Sequence, residues 1–138
     1  MNNIKENISQ PEITENQNEE KTYDIRERTL QFALRIVEIS RDIPNGIYYS
    51  SLRSQLIKAG TSVGANLAEG DGAKTKRDFV NKLVLARKEA KETKYWLRLL
   101  NGLKIDKLNL EDEIEEIQEI INILSSIINK IEYPDKNK

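Results

Sequence analysis

The sequence predicts an all-α chain: an up-down-up-down antiparallel four-helix bundle occupying residues 23–133. Four segments carry apolar residues at helical spacing, and the breaks between them are built from Pro, Gly and Asn. The breaks are also short, which brings consecutive helices back alongside one another. A chain of 138 residues suits one domain with one core.

Residues 1–22 are polar, rich in Asn, Glu and Gln, and lack periodicity, so they read as a disordered tail. Ile4, Ile8 and Ile13 are too sparse to specify a helix there. The first helix is expected over about 25–42, with Asp24 and Glu27 at capping-box spacing and Pro44-Asn45-Gly46 as its stop. One apolar stripe runs Phe32, Ile36, Ile39, Ile43. A second, Leu30, Ala33, Leu34, Val37, is more than one seam needs and points to a subunit contact.

The second helix is expected over 50–69, with Ser50 or Ser51 as N-cap. Its seam reads Leu52, Leu56, Ala59, Val63, Asn66. Gly60 and Gly64 lie on a neighbouring face. Each costs a helix about 1 kcal/mol relative to alanine, so the pair implies a close helix–helix approach. Glu69-Gly70-Asp71-Gly72 turns the chain. Thr75 with Asp78 then forms a capping-box start for a third helix over 75–101, whose seam is Phe79, Leu83, Ala86, Ala90, Thr93, Leu97, Leu100. Tyr95, Trp96 and Leu99 sit off that seam, a second hint of an oligomer interface. The fourth helix is expected over 110–131. Acidic residues crowd its first turns, where the helix dipole favours them. Its seam is Ile114, Ile117, Ile121, Leu124, Ile128, Ile131, widened by Ile120, Ile123 and Ile127. Residues 134–138 are read as tail.

Composition bears on chemistry mainly by what it lacks. There is no cysteine and no histidine. That removes disulfides, thiolate nucleophiles, the commonest metal ligand and the commonest general base. A pair of glutamates from different helices, such as Glu69 and Glu92, could serve as acid and base, but carboxylate-bridged metal bundles use Glu-x-x-His motifs, which this chain cannot supply. No catalytic residue, metal site or cofactor is expected. The Glu69–Gly72 turn has neither a Walker pattern nor a preceding strand, and its carboxylates repel phosphate. With no signal-peptide architecture and no stretch of roughly 20 apolar residues, the expected location is the cytoplasm.

Charge is segregated although the net value is −1. Residues 74–98 hold nine Lys or Arg against three Asp or Glu, a local +6, and residues 106–119 hold seven Asp or Glu against Lys107 alone, a local −6. Either the two faces pair, within the bundle or between subunits, or the basic one is a nucleic-acid surface. The candidate nucleic-acid residues are Lys74, Lys76, Arg77, Lys82, Arg87, Lys88, Lys91 and Lys94, with Arg98 beyond them. They fall mostly off the core seam and show no aromatic interleaving, so the contact they imply is electrostatic and weakly sequence-specific. A second group, Gln55, Asn66, Glu69, Glu92 and Thr93, is expected to form a buried polar network that sets register, or else a ligand or partner site.

The runs Gln55…Ala59-Gly60-Thr61-Ser62-Val63-Gly64-Ala65-Asn66…Glu69 and Lys88-Glu89-Ala90…Glu92-Thr93…Tyr95-Trp96-Leu97 closely resemble the four-helix-bundle family of the 23S rRNA intervening-sequence proteins, over about residues 26–131. The resemblance implies a small bundle that assembles into a homopentameric ring, has no enzymatic activity and is associated with RNA-related loci. A related branch, the accessory proteins of diversity-generating retroelements, binds a reverse transcriptase and its RNA. Those accessory proteins are strongly basic, and this chain is not. The function expected from residues and resemblance together is a non-catalytic oligomeric scaffold that binds RNA or a ribonucleoprotein electrostatically. The alternative is a protein-interaction module serving as accessory subunit of a reverse transcriptase or another enzyme.

Overall fold

The computed structural model describes residues 17–134. Among them are four helices and no strand: α1 Gln17–Ser40, α2 Ile47–Gly70, α3 Lys76–Gly102 and α4 Glu111–Glu132. Each helix packs against the next in sequence, α1 also meets α4, and the backbones of the diagonal pairs stay farther apart. Four amphipathic helices in this cyclic arrangement enclose one core. It is drawn from Phe32, Ile36 and Ile39 of α1, Leu56 and Val63 of α2, Leu83, Leu97 and Leu100 of α3, and Ile117, Ile120 and Leu124 of α4.

The helix starts depart from the sequence expectations in two places. α1 begins at Gln17, so Asp24 lies inside the helix and is not its cap, and residues 17–22 are helical where a tail was expected. The stretch Gln17–Asp24 holds no Gly or Pro, so nothing in it stops a helix from extending. The rest of that expected tail, residues 1–16, lies outside the described residues, as do residues 135–138. α2 begins at Ile47, ahead of Ser50 and Ser51, because Gly46 takes φ 132° at the N-cap. Glycine adopts that conformation without the penalty of a side chain, so the chain turns out of Pro44-Asn45 straight into the helix. α3 and α4 match their expected bounds to within a residue. Thr75 Oγ1 accepts from the Asp78 N–H at 3.0 Å, and the cap of α3 is the one its spacing predicts.

Side chains close the other ends. Arg53, nearly two turns into α2, donates to the carbonyls of Ser40 (3.2 Å), Ile43 (2.6 Å) and Pro44 (2.7 Å), giving partners to acceptors at and just past the end of α1. The Asn101 side chain accepts from the Leu110 N–H and Asn109 from the Glu111 N–H, both at 2.9 Å, which ties the end of α3 to the start of α4.

Packing follows the predicted seams with one exception. On α2, Leu67 is buried and Asn66 only half so. The seam advances four residues from Val63 to Leu67, not three to Asn66, and this keeps it turned toward α3 on a 3.6-residue helix. Gly60 and Gly64 face α1. A Cβ at Gly60 would lie 3.0 Å from Ile36 Cγ2, and one at Gly64 would lie 3.1 Å from Thr29 Oγ1. The close approach implied by the two glycines is therefore made to α1, while Ala59 joins the core beside them. The extra isoleucines of α4 have an internal use: Ile120 is buried, and Ile123 and Ile127 pack on the core. The second stripe of α1 does not: Leu30 is 52% and Leu34 56% exposed.

Candidate functional site

α3 divides into two faces. Its seam is buried against α2 and α4, and its opposite face carries most of the basic residues. Lys74, Lys76, Arg77, Lys88, Lys91 and Arg98 are exposed and form no ion pair with a described residue. The remaining three candidates are turned inward and engaged. Lys82 Nζ pairs with Glu69 Oε1 at 2.5 Å, Lys94 Nζ donates to Gln118 Oε1 at 2.5 Å, and Arg87 donates to Ser125 Oγ at 3.2 Å. These three lie on the flanks of α3, where a long side chain reaches a neighbouring helix. The open basic surface is thus smaller than the sequence candidates: Lys82, Arg87 and Lys94 leave it, while Lys74, Lys76, Arg77, Lys88 and Lys91 remain.

The acidic run of α4 does not neutralise this face. Three of its carboxylates turn to α1, a pairing that sequence reasoning missed. Arg28 holds Glu116 (2.9 and 2.7 Å) and Glu119 (2.7 Å), and Arg35 Nε holds Glu113 Oε2 at 2.6 Å. Hydrogen bonds donated to Glu116 and Glu119 raise the Arg28 pKa above the usual arginine value, and the bond donated to Glu113 does the same for Arg35. Both guanidinium groups stay charged. The signal was available in the sequence: Arg28 and Arg35 are two helical turns apart on one face of α1, and Glu113 and Glu116 are one turn apart on α4. Across α3–α4, the contacts just described use neutral Gln118 and Ser125.

The five polar residues expected to form one network are not brought together. Gln55 is exposed. Asn66 Nδ2 donates to the Ser62 carbonyl of its own helix at 2.9 Å. Glu69 is exposed and holds Lys82, and Glu92 accepts from Trp96 Nε1 at 3.1 Å. Thr93 is fully buried and donates to the Glu89 carbonyl at 2.7 Å. A helix interior offers a carbonyl one turn back to each short polar side chain, and that local acceptor removes the need for a partner across the seam. Among the described residues, no group of three or more carboxylates is placed to hold a metal ion.

A second surface feature lies between α1 and α2. A groove of about 410 Å³ is floored by Ala33, Gly64 and Ala68 and edged by Leu30 and Thr61. It ends at the pair Arg26–Asp71, 2.6 Å apart, and hydrogen bonds from Arg26 lower the Asp71 pKa below the usual carboxylate range. Leu34 and Val37 continue the apolar surface along α1.

Comparison with known proteins agrees with this architecture. No curated protein matches the chain. The family model described as "23S rRNA-intervening sequence protein" matches residues 21–130. A crystal structure of a protein with unknown function from the S23 ribosomal protein family, from Bacteroides thetaiotaomicron VPI-5482, is similar at a TM-score of 0.72 and 37% identity, covering 79% of this chain and 98% of that one. Matched by that model over most of its length, this four-helix chain belongs to the family of 23S rRNA-intervening sequence proteins.

Proposed function

We propose that the chain is a non-catalytic oligomeric scaffold of the cytoplasm, its helices running up-down-up-down, that binds RNA through the outer face of α3. One observation carries the reading: the paired carboxylates of the acidic run, Glu113, Glu116 and Glu119, go to the arginines of α1, while Lys74 just ahead of α3 and Lys76, Arg77, Lys88, Lys91 and Arg98 on it stand exposed without an ion pair to a described residue. A row of cations on one helix attracts a polyanion and releases its counterions on binding. The helix course is supported by contacts between α1 and α2: Arg26 in the first half of α1 meets Asp71 just past the end of α2, and Arg53 in the first half of α2 meets the carbonyls at the end of α1. Self-association is supported by the exposed Leu30, Leu34 and Val37, and the resemblance implies five copies in a ring.

Binding of a structured RNA measured across a salt series tests the reading. Affinity should fall steeply with salt, and Lys88→Glu with Lys91→Glu should weaken it at every salt concentration. Binding that ignores salt, or that survives these changes and Lys74→Glu, Lys76→Glu and Arg77→Glu together, would refute it.

The alternative, an accessory subunit docked on a reverse transcriptase or another enzyme, draws on Ile47 and Tyr48, which are highly exposed at the start of α2. Purification of the native complex distinguishes the two.

A further inference from the structure

The basic face of α3 is not uniformly basic. Tyr95 lies on it and is 59% exposed, the most exposed large apolar or aromatic side chain of that helix. On a helix its neighbours one turn away are Lys91, Glu92, Arg98 and Leu99, and Lys88 lies one turn beyond Lys91. One aromatic ring is thus set among three cations, with the neighbouring Glu92 carboxylate engaged by Trp96.

The ring is also held. Tyr95 meets Trp96 edge to face, with centroids 5.1 Å apart and planes at 78°. Trp96 packs against the core, and its indole N–H donates to Glu92 Oε2 at 3.1 Å. A buttressed ring loses less freedom when a ligand covers it than a free one does.

We propose that Tyr95 is a stacking platform for one unpaired base of a single-stranded RNA, with Lys88, Lys91 and Arg98 holding the flanking phosphates. The inference rests on the RNA reading above and narrows its ligand from any polyanion to an unpaired strand. A duplex keeps its bases stacked on one another and offers this face only phosphates and sugars, whereas an unpaired base presents a ring that an aromatic side chain can cover. A two-fold contact through this face would bring like charges together around Tyr95.

The test uses the full chain, an unstructured single-stranded RNA and an RNA duplex of equal length. Wild type should prefer the single strand. Tyr95→Ala should lower single-strand affinity by about 5- to 150-fold, the loss of one base stack, and leave duplex affinity nearly unchanged. Tyr95→Phe should retain the preference, since stacking needs the ring and not the hydroxyl. Trp96 is the chain's single tryptophan, so its fluorescence should respond to the single strand in wild type and lose that response in Tyr95→Ala. Equal affinity for strand and duplex, with Tyr95→Ala silent, overturns the stacking role and leaves the electrostatic reading standing. Absence of salt-sensitive binding to either RNA overturns both. A lower oligomer mass for Tyr95→Ala by light scattering would assign the ring to a subunit contact and overturn the proposal on that ground.

Discussion

Arg35 Nε donates to Glu113 Oε2 at 2.6 Å, yet the two side chains sit in different surroundings, the arginine 53% and the carboxylate 6% exposed. Glu113 Oε1 is buried without a hydrogen-bond partner among the described residues. The carboxylate therefore depends on a partner anchored at the surface. Arg35→Ala should destabilise the fold by about 1–3 kcal/mol, the cost of a buried polar group left unpaired. Adding Glu113→Leu should recover most of that loss, because an apolar replacement removes the group that needs a partner. Urea denaturation of the single and double variants checks this, and a double variant no more stable than Arg35→Ala would contradict it.

Gly60 and Gly102 should respond to alanine in opposite directions. A Cβ at Gly60 meets Ile36 at 3.0 Å, whereas one at Gly102 meets nothing within 4 Å. Gly60→Ala gains about 1 kcal/mol of helix propensity, but overpacking outweighs it, and a net loss of about 1–2 kcal/mol is expected. Gly102→Ala should stabilise by about 0.4–1 kcal/mol through the unfolded chain. Thermal melts decide, and a stabilised Gly60→Ala would mean that α1 can retreat from α2.

The contribution of Asp71 should depend on pH. Its folded pKa is lowered by hydrogen bonds from Arg26, so the pair stabilises the fold above the unfolded value and loses that effect as pH falls through the folded one. Both side chains are partly exposed, so Asp71→Asn should cost only about 0.2–1 kcal/mol at neutral pH. The melting temperatures of the two proteins should begin to converge as pH falls below the ordinary Asp value of about 3.9 and meet only below the lowered folded value. A gap that persists in acid would locate the effect elsewhere.

The exposed stripe of α1 predicts assembly. Light scattering should give a mass well above the 15.9 kDa of one chain, and Leu30→Glu with Leu34→Glu should lower it toward that value without loss of helix content. A wild-type mass of one chain would remove the scaffold reading, although RNA binding by α3 could stand without it.

Much of the fold was legible because periodicity is a local property. The stripe Phe32, Ile36, Ile39, Ile43 and the seam Leu83, Ala86, Ala90, Thr93, Leu97, Leu100 are buried as their spacing predicts. Where reading failed, the competing choice was also local but finely balanced. Leu67 and Asn66 differ by one residue, and which of them reaches the core depends on how α2 is rotated against α3. The first helix outran its expected cap because a polar stretch without Gly or Pro carries no stop signal. The candidate site was legible in composition but not in direction: Lys82, Arg87 and Lys94 belong to the same basic run as Lys88 and Lys91, and only their positions around the helix separate the engaged from the open.

The sequence by itself determined the number of helices, their seams, the Thr75 cap and the segregation of charge, since each depends on spacing within one segment. Only the tertiary structure decided which charges meet. Pairing across helices depends on which faces adjoin, so Glu113, Glu116 and Glu119 of α4 went to Arg28 and Arg35, α3 kept its outer cations, and Tyr95 came to stand among them.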